Sequence, residues 1–286
     1  MMIYDCFTFY NEFDLLELRF RELNDYVDHF VIVEADRTFQ NKEKPLYFTG
    51  DLPNPRWDEY REKLIVIQVV NMPDGEDAWA RERHQRDAIL YGVQKANPDD
   101  IIMIGDVDEI PRPETIEKLR NSTESVWGFR MPLFNFKFNY MMVTQDLYSV
   151  WSGAVRFSAL DSPENFRLMR HTLNGCPYNF SDGNVAIIEH AGWHFTYLGN
   201  EEFARTKIQS FSHAETNKPE ILDQLNIEDS ICRGTGIIRT NNDYRFSVVA
   251  VDDYLPKTIV NNLPEYNKFL IIKDANSARQ YLPPML

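Results

Sequence analysis

Asp106 and Asp108 stand one residue apart in the run Asp99-Asp100-Ile101-Ile102-Met103-Ile104-Gly105-Asp106-Val107-Asp108-Glu109-Ile110-Pro111. Ile101 to Ile104 form an apolar stretch of the kind that makes a strand buried on both faces. The stretch stops at Gly105, so both carboxylates fall at the strand's C-terminal end, where open α/β sheets bind ligands. Two carboxylates this close repel each other unless a cation neutralises them. Hard divalent cations prefer oxygen ligands, and Mg²⁺ typically joins one or two carboxylates to substrate phosphates. The chemistry indicated is a metal–diphosphate site of a nucleotide-sugar enzyme, with Asp106 and Asp108 as metal ligands. The competing reading is a strand end or a helix cap, because Pro111 and Pro113 introduce a helix. The strand before the pair and the architecture upstream favour the metal.

The elements around the pair read as follows. Residues 3–9 form a first strand, and Asn11 can cap the helix after it. Phe13, Leu16, Phe20, Leu23 and Val27 recur at helical spacing and make one apolar face. Residues 29–33 form a β-branched strand ending at Glu34, residues 64–70 a third strand, and residues 77–96 a long helix stopped near Asn97-Pro98. Residues 101–104 are the fourth strand. Strands alternating with helices predict an α/β fold with a mainly parallel sheet flanked by helices. The long helix places Trp79, Arg83, Arg86 and Leu90 on one stripe. Its two arginines either snorkel and pair with acids or reach an anionic ligand. Arg81 and Asp87 lie off the stripe and read as surface or ion-pair residues.

After a helix at 113–121 and a strand at 125–129, the aromatics Phe134, Phe136, Phe138, Tyr140, Tyr148 and Trp151 crowd one region. Alternation at 134, 136 and 138 is strand-like, and most of these rings read as core. Residues 174–184 read as a polar loop, followed by a short strand at 185–188. His190 and His194 then fall at even positions of one extended segment, on one face. Residues 201–216 and 219–229 read as helices, and residues 252–272 as a terminal helical segment.

The 286 residues suffice for one large α/β domain or two small ones. No repeat or linker interrupts them. We expect a catalytic domain at 1–200, with a nucleotide-sugar half at 1–111 and an acceptor half at 112–200, and a helical C-terminal segment at 201–286. A net charge of -14 disfavours nucleic acid and anionic membranes as partners. Cys6, Cys176 and Cys232 are odd in number and widely spaced, which argues against a disulfide framework or a zinc site and fits a reducing compartment. No signal peptide or apolar stretch of membrane-spanning length is visible.

Several segments resemble glycosyltransferase family 17. They are Asn11-Glu12-Phe13-Asp14-Leu15-Leu16, Glu22-Leu23 through Val27-Asp28, Val33-Glu34, Pro98-Asp99-Asp100 through Pro111, Ala191-Gly192-Trp193-His194 and Tyr254-Leu255-Pro256-Lys257. The similarity runs over most of the chain. It implies a GT-A-type fold, a nucleotide sugar bound through Mn²⁺ or Mg²⁺, and inversion at the anomeric carbon. In the family's animal members the donor is UDP-N-acetylglucosamine and the acceptor a β-linked mannose. This sequence shows no membrane anchor or stem, so the expectation is a bacterial or viral member working in a cytoplasm. Its acceptor would be a lipid-linked or surface-glycan precursor.

The expected roles follow. Asp106 and Asp108 hold the cation on the UDP-sugar, and His194 completes the metal shell or touches the diphosphate. Arg83 and Arg86 add positive charge there, and Glu12 and Glu34 contact the nucleoside unless they cap or pair. An inverting displacement needs a base for the acceptor hydroxyl; the candidates are Asp182, Glu189 and Glu109. Two rivals remain: a nucleotidyltransferase making a nucleotide sugar, and a non-catalytic carbohydrate-binding protein. The first lacks a Gly-rich basic loop after strand one, and the second has no need of a diphosphate–metal pair.

Overall fold

The computed structural model describes residues 1–144, 148–174, 185–237, 244–252 and 254–272. Four parallel strands form one half of an eleven-stranded sheet in the order β3-β2-β1-β4. They are β1 (Ile3–Phe9), β2 (His29–Ala35), β3 (Leu64–Val69) and β4 (Ile101–Asp106). Alternation along these strands feeds two cores. Ile3, Phe7, Phe30, Ile32, Ile101 and Met103 enter one, and Tyr4, Cys6, Val31, Val33, Ile102 and Ile104 enter the other. Helix α1 (Phe13–Leu23) covers the first face with Leu15, Leu16, Leu18 and Phe20. The opposite face packs on Ala88, Ile89 and Val93 and on Phe166 and Met169 of a helix described below. Both faces are covered, so β4 reads as a continuous apolar run.

The other half of the sheet departs from the parallel expectation. After β5 (Glu109–Pro111) and a helix at Pro113–Arg120 comes β6 (Val126–Asn135), twice the length expected, which takes in Phe134. β6 pairs antiparallel with β7 (Tyr140–Met142) and β8 (Tyr148–Arg156), and β8 pairs antiparallel with β4. Phe136 sits just past β6 at φ 64, so the strand-like alternation of 134, 136 and 138 marks a strand end and a turn. Two short strands, β9 (Ala186–Ile188) and β10 (Gly192–Thr196), run parallel to β6. β10 also lies antiparallel to β5. A Cβ at Gly192 would sit 2.2 Å from the Ile110 carbonyl oxygen, so only glycine allows that approach.

Other expectations are corrected. The helix read over 77–96 is α2 (Ala78–Asp87) followed by a separate turn at Ile89–Gly92. His190 is exposed, in a turn at φ 53, and shares no strand face with His194. The C-terminal part is not purely helical. β11 (Phe246–Val248) joins the sheet beside β7, among short helices such as Lys257–Asn261 and Leu263–Tyr266. The late Tyr254 packs on the Trp193 segment: its carbonyl accepts from Trp193 Nε1 at 2.7 Å and Arg112 Nη2 at 2.9 Å. Ile259 and Phe269 enter the same core as Ile3 and Phe7. Among the described residues no helix is long and apolar enough to cross a membrane.

Candidate active site

The loop that follows β4 is held from below. Asp5 on β1 and Arg19 on α1 form a fully buried pair, with Arg19 Nη2 2.6 Å and Nε 2.7 Å from the carboxylate. The remaining Arg19 nitrogen donates to the carbonyls of Asp106 (2.9 Å), Val107 (3.3 Å) and Glu109 (2.9 Å). One guanidinium thus ties β1, α1 and the Asp106–Glu109 turn together, using its five donors as a rigid fork. A charged residue inside the apolar run Ile3-Tyr4-Asp5-Cys6-Phe7 was the available signal for this pair.

Each acid of the motif has a cation. Asp106 faces Arg167 at 2.6 Å and Arg86 at 3.3 Å. Burial pushes its carboxyl up, but Arg167 and then Arg86 outweigh it and hold the group well below its ordinary range. Arg167 lies on α3 (Pro163–Leu173), counted here after α2 as the third helix that bears on the site. It also clamps both oxygens of Glu109, at 2.7 and 2.6 Å, while Glu109 accepts the Asp106 N–H at 3.0 Å. Asp108 takes Lys207 Nζ at 2.6 Å on Oδ2. Lys207 belongs to α4 (Glu201–Ile208), started by the Asn200 cap. Burial works against its charge, and Asp108 and Glu12 together more than offset this, so its pKa rises. The other Asp108 oxygen lies 3.7 Å from His194 Nε2. Burial lowers the His194 pKa against the pull of Asp108, leaving a neutral imidazole at pH 7.

These groups form the floor of a cavity of about 360 Å³. Asp106, Asp108, Glu109, Arg86, His194 and Glu12 all line it. One side carries Phe39, Trp79, Phe211 and His213, with Trp79 and His213 in edge contact at 4.7 Å. The other carries Trp151 and Arg170. The Arg170 guanidinium makes no hydrogen bond or ion pair to another described residue, and burial followed by Arg167 lowers its pKa to about 10. Lys44, between the rings of Tyr10 and Tyr47, is brought down by burial to about 8.

The remaining expected residues fall elsewhere. Arg83 is exposed and bonds Asp77 at 3.1 Å, because α2 turns Arg86 inward and Arg83 out. Arg81, read as a surface residue, is buried on the carbonyls of Phe39 and Gly75. Glu34 is fully buried and accepts from the backbone of Phe48 (3.0 Å) and Thr49 (2.8 Å), outside the cavity. Glu189 pairs with Arg130 at 2.6 Å on the surface, away from the cavity lining. Glu109, by contrast, lines the cavity, with both oxygens bonded to Arg167. Asp182 lies outside the described residues. Lys207, Arg167 and Arg170 were missed, since nothing in a helical run marks which of its cations face a distant strand end.

Do the residues fit a divalent cation? Among the described residues no three or more His, Cys, Asp or Glu side chains converge as a ready metal cage. Asp106 is committed to two arginines. Asp108 Oδ1 and His194 Nε2 do converge, and the buried His194 Nδ1 lacks a partner. One carboxylate oxygen and one imidazole suit a cation that draws its other ligands from phosphates and water. The fit is therefore to Asp108 and His194, with Asp106 in the same lining but paired to two arginines.

A sequence model of glycosyltransferase family 17 matches residues 1–283. The chain belongs to that family. Among curated proteins it is similar to the β-1,4-mannosyl-glycoprotein 4-β-N-acetylglucosaminyltransferases of Rattus norvegicus and Homo sapiens. Identity is 25% and 24% over 283 residues, covering 91% of this chain and 53% of each relative. The mouse protein of the same name is 25% identical over the same span. The chain thus spans about half the length of the curated relatives it matches. Within the matched span, the acidic segment at Asp106–Glu109 lines the cavity, and the segments at Trp193 and Tyr254 meet.

Proposed function

We propose that the cavity transfers a sugar, N-acetylglucosamine in the first instance, from a UDP-sugar to a hydroxyl of a glycan or glycolipid, with inversion. The observation that carries this is the floor itself: an acid pair at the end of β4 lies in one cavity with Lys207, Arg170 and Lys44. A nucleoside diphosphate presents two phosphates that need cations and a base that needs an apolar slot. Phe39, Trp79 and Phe211 supply the slot, and Lys207 and Arg170 supply fixed positive charge. Positive charge already in place where a leaving group becomes anionic needs no reorganisation during reaction.

A divalent cation held by Asp108 and His194 would neutralise charge on the departing diphosphate. Lys207 balances Asp108 beforehand, so the carboxylate is oriented before any ligand arrives. Trp151, in edge contact with His194 at 4.5 Å, fixes that ring. The Arg19 and Arg167 layer below keeps the whole turn rigid, as a preorganised site requires.

Calorimetric binding of UDP, UDP-N-acetylglucosamine and other nucleotide sugars, with and without Mn²⁺, tests the reading. The expected outcome is metal-assisted binding of one UDP-sugar and its slow hydrolysis by the wild type. Absence of nucleotide binding under every metal condition would overturn it. Consumption of a nucleoside triphosphate with release of pyrophosphate would replace it with nucleotidyl transfer.

A further inference from the structure

We propose that a second cavity, on the far side of Glu12 from the donor pocket, receives the sugar acceptor, and that Glu12 is the base that takes its proton. This rests on the transferase reading above and names a binding site and a catalytic residue within it.

The donor pocket is rich in acids. Five described carboxylates line it: Glu12, Glu82, Asp106, Asp108 and Glu109. Four are engaged by cations. Glu82 bonds Arg86 at 2.5 Å, Asp106 and Glu109 share Arg167, and Asp108 holds Lys207. A carboxylate in a tight ion pair is a poor proton acceptor, because protonation breaks the pair. Glu12 has no ion pair among the described residues. It accepts backbone N–H groups of Tyr10 at 3.2 Å and Asn11 at 3.1 Å, both on Oε2. Burial raises its pKa, with Lys207 opposing and Asp108 adding, which moves the group towards the range useful for a base near neutrality.

The second observation is spatial. A cavity of about 460 Å³ lies beside the first, and Glu12 is the one residue common to the two linings. That volume is within the roughly 300–1,000 Å³ of small-molecule sites. Its walls combine Phe13, Phe203 and Phe269 with Asn11, Asn200 and Lys137, and with Asp14 and Lys268, which neutralise each other as an ion pair at 3.2 Å. Rings offer faces to the apolar side of a sugar, and amides and ammonium offer partners to its hydroxyls. Asn200 uses its Oδ1 to cap α4, and its Nδ2 donates to no other described residue. The composition suits a neutral carbohydrate better than an anion or an apolar ligand.

In the step so assigned, the acceptor oxygen forms a bond to the anomeric carbon. The bond from that carbon to the diphosphate oxygen breaks, and its electron pair leaves with the nucleoside diphosphate. The acceptor's hydroxyl proton passes to Glu12. When water takes the acceptor's place, the same transfer of a proton accompanies donor hydrolysis.

Glu12→Gln in the full chain is the test. The readouts are donor Kd, UDP-N-acetylglucosamine hydrolysis, and transfer to p-nitrophenyl β-mannoside. Hydrolysis and any transfer should fall by about 10²–10⁴-fold, the usual contribution of a general base, with donor Kd unchanged. Glu12→Asp should recover part of the rate. The wild-type rate should rise with pH through the raised Glu12 pKa, and that limb should vanish in Glu12→Gln. Lys207, Asp108, Lys44 and Tyr10 are the titratable groups facing Glu12. Asn11→Ala should raise acceptor KM and leave kcat and donor Kd alone. Retained hydrolysis in Glu12→Gln overturns the base, and lost donor affinity in that variant makes Glu12 a nucleotide contact instead. A wild type that binds no nucleotide sugar fails the transferase reading itself, which is a separate outcome.

Discussion

Asp106 and Asp108 are separated by one residue but live in different electrostatic settings. Asp106 faces two arginines that are almost wholly buried, on α2 and α3. Those arginines also hold Glu82, Glu164 and Glu109, so the Asp106 side is closed by ion pairs, although 35% of its side chain is still exposed, at the cavity lining. Asp108 faces a single lysine from α4 on one oxygen and a neutral histidine, at 3.7 Å, on the other. The Asp108 side is open only in having fewer ion pairs, its side chain being 5% exposed. Arginine's fork satisfies two carboxylates at once and resists exchange, whereas a lysine is a point charge that a stronger cation can displace. Asp106 is thus held by two arginines and Asp108 by one lysine, and both acids line the cavity.

The largest expected effect breaks the closed side. Arg167→Met strands the buried Glu109 and leaves Asp106 only Arg86, and removing one partner of a buried pair costs about 3–5 kcal/mol. Urea unfolding should show a midpoint shift of that size or an unfolded protein; a shift below about 1 kcal/mol, the usual worth of an exposed ion pair, would show that the layer is not structural.

Next comes the open side. Asp108→Asn keeps the shape and removes the charge. Donor hydrolysis should drop by about 10²–10³-fold, as when one preorganised electrostatic contact is lost, while the fold stays stable. If this variant unfolds as readily as Arg167→Met, the two acids do the same job and the comparison fails.

Acid titration sharpens the difference. The folded-state pKa of Asp106 is depressed below its ordinary 3.8. A depressed carboxyl contributes stability that is present above the unfolded value and is lost as pH falls through the folded value. Thermal stability should therefore begin to fall below about pH 4 and keep falling. Asp106→Asn should flatten that slope; an unchanged slope would remove Asp106 as its source.

The smallest effects belong to charges the fold leaves outside. Arg83→Met should change stability by about 0–1 kcal/mol and leave hydrolysis unchanged, unlike Arg86→Met on the same helix. Glu189→Gln, breaking a surface pair with Arg130, should likewise leave hydrolysis at the wild-type rate; a large loss would place Glu189 in the chemistry after all.

The parallel half of the fold was legible in the chain. β1, β2, β3, β4 and α1 carry strong local periodicity, and β4 announces its burial by four consecutive apolar residues. The acid pair was legible for the same reason, because a strand end and its next two residues are local facts. The antiparallel half was harder to read. β6 runs through Phe134 and receives β8, β9 and β10, partners up to some sixty residues away that no local pattern specifies.

Sequence alone determined which residues could be buried, where the strands of the first half begin, and that two carboxylates sit at the mouth of one of them. Tertiary structure decided their charge partners. Arg86 and Arg83 lie three residues apart on α2, and only packing against α3 sends one inward and leaves the other in solvent. Lys207 meets Asp108 across ninety-nine positions, and Glu12 comes to lie between two cavities whose walls are drawn from both ends of the chain. A side chain's protonation and availability depend on the charges and solvent within a few ångströms, and those neighbours are set by folding rather than by order along the chain.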